Sequence, residues 1–396
     1  MSAVPPGPRV AFTPPPYPYD RLAEVVGLAA GHSGGAVDLS VGTPCDPPPD
    51  EVVRALGSSG TERGYPTATG SADLRGAAAG WVERRFGVVV DPAHVAACVG
   101  TKELVATVPW LLRLGRPDRD TVLYPAVSYP TYAMGAYLAG CRAVGVPATA
   151  DGGLDLDAVD PDDARRCLLL WVNSPANPTG ALCDLGAAAA WGRVHGVPVF
   201  SDECYTELTW AGPPRTIVEH GTTGVVAVHS LSKRSNLAGV RVGCYLGDAD
   251  LVGELAGLRR HVGLMVPGPV QAAAVVAWGD DTHVEAQRER YRWRLERVAA
   301  ALRSVGVDAR MPGGGFYLWV PVPAHWSGAD GWDLARALAR SAGLVTAPGD
   351  LYGQPEATHV RVAVVAPDDR IEAVARRIEA AGADGLAGAR MVGDGR

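Results

Sequence analysis

What most limits the fold of this chain lies between about residues 45 and 280, where helical stretches alternate with short apolar runs bounded by turn residues. Runs such as CLLLWVN (167–173) lack the polar alternation of a half-exposed strand, so they predict strands covered on both faces. Strands that alternate with helices predict an α/β unit, a mostly parallel sheet flanked by helices. Seven strands are expected, at Val95–Val99, Thr121–Tyr124, Arg142–Val146, Cys167–Asn173, Pro198–Ser201, Val225–His229 and Val242–Leu246. In such a sheet functional side chains collect at the carboxyl ends of the strands.

After residue 280 the pattern changes. An Arg-rich amphipathic helix is expected over His283–Gly306, strands at 316–322 and 359–365, a helix near 332–342 and a last helix near 368–381, which together predict a smaller α+β unit. At 396 residues the chain exceeds what one core usually serves. The expected division is an N-terminal segment (1–44) joining the small domain, a large domain (45–280), a small C-terminal domain (281–384) and a Gly- and Ala-rich tail (385–396).

Composition excludes several roles. With 47% hydrophobic and 20% charged residues this is a globular composition, and a net charge of −7 offers no basic face for nucleic acid. No apolar run reaches the roughly 20 residues of a membrane helix, and the proline-rich start lacks the apolar stretch of a secretory signal, so a cytoplasmic location is expected. Seven scattered cysteines without a CxxC pair predict reduced thiols. The acidic stretch 155–166 has no metal-ligand spacing.

Lysine is scarce: it occurs only at 102 and 233. Lys233 follows a buried-strand pattern in the run VHSLSKRSNLAGVRVG, with Ser230 and Ser232 before it and Arg241 eight residues on. A lysine held at a strand end beside an arginine has a lowered pKa available to it through burial and like charge, and such an amine can form a Schiff base. Alone, it also reads as a surface lysine after an edge strand. Two further strand ends bear on it, NSPANPTG (173–180) and FSDECY (200–205). Asp202 and Tyr205 are three apart and can face one site. An aspartate beside a pyridine nitrogen keeps that nitrogen protonated, although Asp202 taken singly also suits a strand-end cap. His195 and His229 lie near strands and read as structural, and Trp171 and Trp319 as core.

Taken in order, LSVGTPCDPPP (39–49), GYPTATG (64–70), GTKEL (100–104), YPAVSYPTY (124–132), NPTG, SDECY, SLSK, GGGFYLW (313–319) and HVRVAV (359–364) resemble the class I/II aminotransferases, fold type I of the pyridoxal 5′-phosphate enzymes. The resemblance covers nearly the whole chain. It implies Lys233 as the Schiff-base lysine and proton shuttle, Asp202 on the pyridinium, and Asn177 and Tyr205 on the ring oxygen. Ser230, Ser232, Arg241 and the backbone of Thr101 and Lys102 are implied for the phosphate, at a helix start that suits an anion. Tyr129 is implied as the stacking aromatic, and Tyr65 as a tyrosine that reaches the phosphate of a neighbouring subunit, hence a homodimer with shared sites. Arg361 is implied as the fork for a substrate α-carboxylate, with Gly42 presenting its backbone N–H nearby.

Within the family, HSLSKRSNLAG, VDLSVGTPCDPPPD and YPAVSYPTY are most similar to succinyldiaminopimelate transaminases of lysine biosynthesis, which exchange an amino group between glutamate and an N-succinylated oxopimelate. Aspartate, alanine and aromatic aminotransferases and lyases of the same fold are the alternatives. Arg234, Ser235 and Arg259 are candidates for a distal carboxylate. The segment PPGPRVAFTPPPYPYD (5–20) is expected to close over the substrate.

Overall fold

The computed structural model describes residues 13–353 and 357–391. Among these the strands are β1 (Val37–Asp38), β2 (Val95–Cys98), β3 (Thr121–Pro125), β4 (Arg142–Val146), β5 (Cys167–Asn173), β6 (Val199–Asp202), β7 (Val225–Ser230), β8 (Gly243–Gly247), β9 (Tyr317–Pro321), β10 (Leu344–Val345), β11 (Ala347–Pro348) and β12 (His359–Ala363). Each of the seven strands expected before residue 280 is present to within one residue at either end.

Those seven form one sheet in the order β2-β8-β7-β6-β5-β3-β4. β3 pairs in parallel with β4 and β5, β5 with β6, and β6 with β7. β8 runs antiparallel to both β2 and β7. Parallel neighbours need a long crossover, and residues 231–242 between β7 and β8 supply only the four-residue helix Leu231–Arg234, so the chain turns straight back. That turn carries Lys233.

β5, β6, β7 and β8 are buried at every position. Their side chains alternate between two helical layers. Trp171, Phe200, Val226 and Tyr245 share a core with Leu104, Tyr132 and Leu255 of the helices Thr101–Gly115, Thr131–Leu138 and Ala249–Val262. Leu170, Val199, Ala227 and Leu246 face Trp81, Leu185 and Trp278 of the helices Ala72–Phe86, Leu185–His195 and Gly268–Gly279. A strand sandwiched this way loses nothing by being apolar throughout, which is why these runs lack alternation.

A further core joins the two ends of the described chain. Val25, Ala29, Val37 and Leu39 pack with Leu295, Leu302, Phe316, Leu338, Val362 and Ile378. Here β9, β12 and β11 form a three-stranded antiparallel sheet, and β1 pairs in parallel with β10.

Two expectations are corrected. Trp171 is buried, but Trp319 is only half-buried, lying flat on the His359 ring with centroids 5.1 Å apart. The last helix does not give way to a loose tail at 385. It breaks at Gly382, where φ is +66°, and then resumes to Met391, with Leu386 buried in the core and Arg340 Nη1 donating to Ala389 O at 3.0 Å. One leucine among glycines and alanines anchors this turn. Residues 1–12 and 392–396, parts of the expected N-terminal segment and tail, lie outside the described residues.

Leu386→Ala is accordingly expected to lower unfolding free energy by about 2–5 kcal/mol, the usual cost of emptying a buried leucine site. Urea unfolding monitored by tryptophan fluorescence measures this, and a change below about 0.5 kcal/mol would mean that the turn is not part of the core.

Candidate active site

The parallel register sets Asn173 of β5 beside Asp202 of β6 and Asp202 beside Val228 of β7, which runs two residues further to Ser230. A cavity of about 520 Å³ opens there. Lys233, Asp202, Tyr205, Thr101, Lys102, Tyr129, Asn177, Ser230, Ser232, Arg241, Gly42 and Arg361 all line it. Tyr65 does not, and its side chain is 99% exposed.

Lys233 projects from the turn after β7, and its Nζ donates to Gly42 O. Burial, reinforced by the positive charges of Arg361 and Arg241, pulls its pKa down to about 8. Asp202 sits in the same cavity with Oδ2 accepting from Tyr132 Oη at 2.8 Å and Oδ1 accepting from the Cys204 backbone N–H at 3.2 Å. Burial raises its pKa, so a cation brought against it would be bound strongly.

Arg361, on the central strand of the three-stranded sheet, is only 1% exposed. Nη1 donates to Asn177 Oδ1 at 2.8 Å and Nη2 to Ser40 O at 2.5 Å, while the guanidinium lies between the rings of Tyr317 and Tyr352, 4.3 and 4.7 Å from their centroids. Its Nε has no partner among the described residues. A buried guanidinium with an unused donor is prepared for an anion of matching shape.

Asn173 ties these groups together. Its Nδ2 donates to Asp202 O at 2.8 Å and to Pro175 O at 3.2 Å, and its Oδ1 accepts from Asn177 N at 2.7 Å. Tyr317 is a second residue that the sequence reading did not single out: its hydroxyl lies 2.7 Å from that of Tyr205. It also explains Gly42, where any Cβ would overlap the Tyr317 hydroxyl. Tyr132 and Cys204 are further lining residues not singled out beforehand, while Tyr17 and Tyr19 belong to the segment 5–20 expected over the substrate. Tyr132 lies in the first turn of the helix Thr131–Leu138 and Tyr129 before it, so no helical spacing links the two, and nothing local marks Tyr317.

The other end of the cavity has the form of an anion cradle. The helix Thr101–Gly115 begins there without a side-chain cap, so its first N–H groups point outward beside Ser230, Ser232 and Arg241. Gly100 has φ +76°, and a Cβ on it would overlap the Arg241 guanidinium. The residues therefore fit pyridoxal 5′-phosphate: an uncapped helix start with a guanidinium for the phosphate, a buried carboxylate for the ring nitrogen and a primary amine of lowered pKa for the aldehyde.

The three candidates for a distal carboxylate are placed elsewhere. Arg259 is buried and grips Glu103 with two contacts of 2.7 Å. Arg234 and Ser235 are buried outside the cavity, bound to Glu207, Asp281 and His283. By contrast the Lys102 side chain, expected to matter only through its backbone, enters the cavity with Nζ 5.3 Å from the Tyr17 ring centre and 5.7 Å from that of Tyr129. His195 is exposed, and His229 is buried at the opposite face of β7, with Nε2 3.5 Å from Glu203 Oε2.

Two outcomes follow from this geometry. Gly100→Ala, which displaces Arg241 and strains the backbone, is expected to weaken cofactor affinity at least roughly 10-fold by fluorescence titration; unchanged affinity would remove Arg241 from the cradle. Lys233 keeps its proton to about 8 when folded and to 10.5 when free, so its charge opposes folding fully below pH 8 and progressively less up to 10.5. Cofactor-free Lys233→Met is thus expected to exceed the parent in stability at pH 7, by a margin that shrinks as pH rises through that window. Parallel stability curves for the two proteins would contradict this.

Residues 35–378 match the family profile of aminotransferase class I and II. A probable aminotransferase of Mycobacterium tuberculosis is 41% identical over 387 residues, 96% of this chain and 88% of that protein. The 4-dedimethylamino-4-oxo-anhydrotetracycline transaminase of Streptomyces rimosus is 40% identical over 372 residues, 92% of this chain and 99% of the relative. Among solved structures, a probable N-succinyldiaminopimelate aminotransferase from Thermus thermophilus superposes with a TM-score of 0.82 at 30% identity, covering 92% of this chain and all of the other (100%). The sheet order, the cavity at its carboxyl edge and these likenesses agree: the chain belongs to the class I and II aminotransferases, with their fold type I architecture and their dependence on pyridoxal 5′-phosphate.

Proposed function

We propose that this aminotransferase passes amino groups between glutamate or 2-oxoglutarate and an amino or oxo acid that carries a second, distant carboxylate, N-succinyl-LL-2,6-diaminopimelate first among them. The observation that carries the reading is a pair of cations lining one cavity, the buried fork of Arg361 and the ammonium of Lys102. A substrate with two separated carboxylates would engage both. The name of the Thermus relative supports the same choice.

When bound, the cofactor supplies an aldehyde that takes up the amino group and a ring that draws electrons from the substrate α-carbon. The chain's part is placement and proton movement. Arg361 holds the α-carboxylate in a fixed plane, which favours loss of the α-proton over loss of the carboxylate. Lys233 Nζ takes that proton and returns it, at an amine whose lowered pKa leaves a usable fraction uncharged near neutral pH. Asp202 would hold the ring nitrogen's proton, and Asn177 and Tyr205 would hold the ring oxygen, with Tyr317 fixing the Tyr205 hydroxyl. Ser230, Ser232, Arg241 and the N–H groups of Thr101 and Lys102 would hold the phosphate, and Tyr129 would stack on the ring.

Tyr65, fully exposed here, is assigned to the cavity of a second copy in a homodimer. Among the described residues no helix is long and apolar enough to cross a membrane, and a cytoplasmic location is part of the proposal. A second reading has its own support. Tyr17, Tyr19 and Tyr129 line the cavity, and the Streptomyces relative is named for a polycyclic ketone, so a planar aromatic acceptor is the alternative.

The test is a half-reaction screen: holoenzyme is mixed with single amino acids while the cofactor absorbance is followed. Rapid conversion by glutamate and by succinyldiaminopimelate supports the first reading; conversion by aromatic amines alone overturns it in favour of the second. Lys233→Ala is expected to abolish turnover. Arg361→Lys is expected to raise KM for every amino acid donor about 10- to 100-fold, the loss of a charged fork. Lys102→Ala should raise KM for the dicarboxylates roughly 10-fold and leave alanine unchanged; an equal effect on both would show that Lys102 serves the cofactor instead.

A further inference from the structure

Behind the cavity wall lies an arginine with no contact to it. Arg234 follows Lys233 directly and is 2% exposed. A guanidinium has five N–H donors, and Arg234 makes five hydrogen bonds. Nε donates to Glu207 Oε1 at 3.2 Å, Nη1 to Ser235 Oγ at 3.2 Å and Ala277 O at 2.5 Å, and Nη2 to Asp280 O at 3.1 Å and Asp281 Oδ1 at 2.6 Å. The group lies against the adjoining rings of Trp81 and Trp278, 5.6 and 5.2 Å from their centroids.

Glu207 is the counterpart. It stands two residues after Tyr205 as Arg234 stands one after Lys233, and it is buried as well. Its Oε1 also accepts from Trp81 Nε1 at 2.7 Å and its Oε2 from Arg85 Nε at 2.9 Å, while Arg288 donates to its backbone carbonyl. The remaining contact runs outward as a chain: Ser235 Oγ lies 2.8 Å from His283 Nε2, and His283 Nδ1 lies 2.7 Å from Asp280 Oδ2. Ser235 is 1% exposed, so this serine, histidine and aspartate form a brace and not a nucleophile open to substrate.

We propose that Arg234 is a positioning residue: its fork, locked to Glu207 on one side and to the residues before the helix Thr282–Ser304 on the other, fixes the turn from which Lys233 Nζ reaches Gly42 O. Four segments converge on this guanidinium: the turn of Lys233, the short helix Thr206–Leu208 after Tyr205, the end of the helix Gly268–Gly279, and Asp280–Asp281 leading into the long helix. None of the four holds the others in place by itself. A lysine could keep the charge but has three donors on one nitrogen, too few and too compact to bridge them. Misplacement of a reacting group by an ångström can cost on the order of 100-fold in rate.

The inference rests on the assignment of Lys233 above, and its test can fail separately, because it reads the amine itself. The parent chain has two lysines and Arg234→Lys adds a third beside Lys233, so acetylation of the full cofactor-free chain, followed over a pH series by mass spectrometry of fragments that separate positions 233 and 234, reports Lys233 with Lys102 as the internal standard. The parent's Lys233 is expected to titrate near its value of about 8. Arg234→Lys is expected to move that midpoint upward toward 10.5, as a loosened turn lets water reach Nζ, and to lower kcat per folded holoenzyme about 10- to 100-fold with a smaller change in KM. Glu207→Gln, nearly the same shape, should shift both readouts the same way by less. A lowered melting temperature with an unmoved labelling midpoint and kcat within twofold would make the cluster a structural support only and overturn the proposal. If Arg234→Lys does not fold, Glu207→Gln alone decides between these results.

Discussion

Holding a primary amine in a buried cavity beside two guanidiniums is electrostatically uphill, and the site is organised around that cost. Water is largely removed from Lys233 Nζ, and Arg361 and Arg241 both disfavour its protonated form. The result is an amine that loses its proton near neutral pH while lying within reach of an anion cradle and a carboxylate fork. In the proposed function each arginine would serve a different anion, so neither could be removed to relieve the lysine. Asp202 offsets part of the positive charge, and burial raises its own pKa until a cation is brought against it. The cavity is thus a set of mismatched charges that a zwitterionic ring with a phosphate would complete.

The sheet makes this arrangement possible. Parallel strands β5, β6 and β7 end at the same edge of the sheet, so Asn173, Asp202 and Ser230 line one cavity without any long loop having to be ordered. Where the chain reverses into β8, the turn is short and buried, and it carries the amine. Rigidity behind these ends comes from guanidinium forks that face away from the cavity: Arg259 on Glu103 fixes the helix whose first turn holds Thr101 and Lys102, and Arg234 on Glu207 backs Lys233 and Tyr205. Taking one partner from such a pair usually costs about 3–5 kcal/mol, because the other is left charged and buried. These arginines had been candidates for substrate recognition, and their burial assigns them to support instead.

Much was legible beforehand, and for identifiable reasons. Strands covered on both faces leave continuous apolar runs, so the large sheet could be read almost strand for strand. The site residues sit immediately after those runs, at Asn173–Gly180, Ser201–Tyr205 and Ser230–Arg241, where topology requires function to lie. Scarcity of lysine narrowed the amine to two positions. The reading was weaker where a residue's surroundings come from distant sequence. Arg234 and Arg259 look like any other arginines until Glu207 and Glu103 are seen to face them. Leu386 was hidden in a Gly- and Ala-rich stretch because one buried side chain makes no periodic pattern.

The chain's sequence by itself determined the fold class, the strand ends where polar residues gather and the two lysines that could supply an amine, since these depend on local periodicity, strand-end position and residue count. Tertiary structure alone decided which side chains meet. Tyr317 of β9 packs beside Arg361 of the neighbouring β12 and reaches Tyr205 beyond the end of β6, Asn173 bridges three backbones, and Lys102 turns from a helix start into the cavity between two tyrosines. Contacts between residues tens of positions apart leave no trace in a local pattern, because the energy that selects them is released only when both surfaces lose their water together.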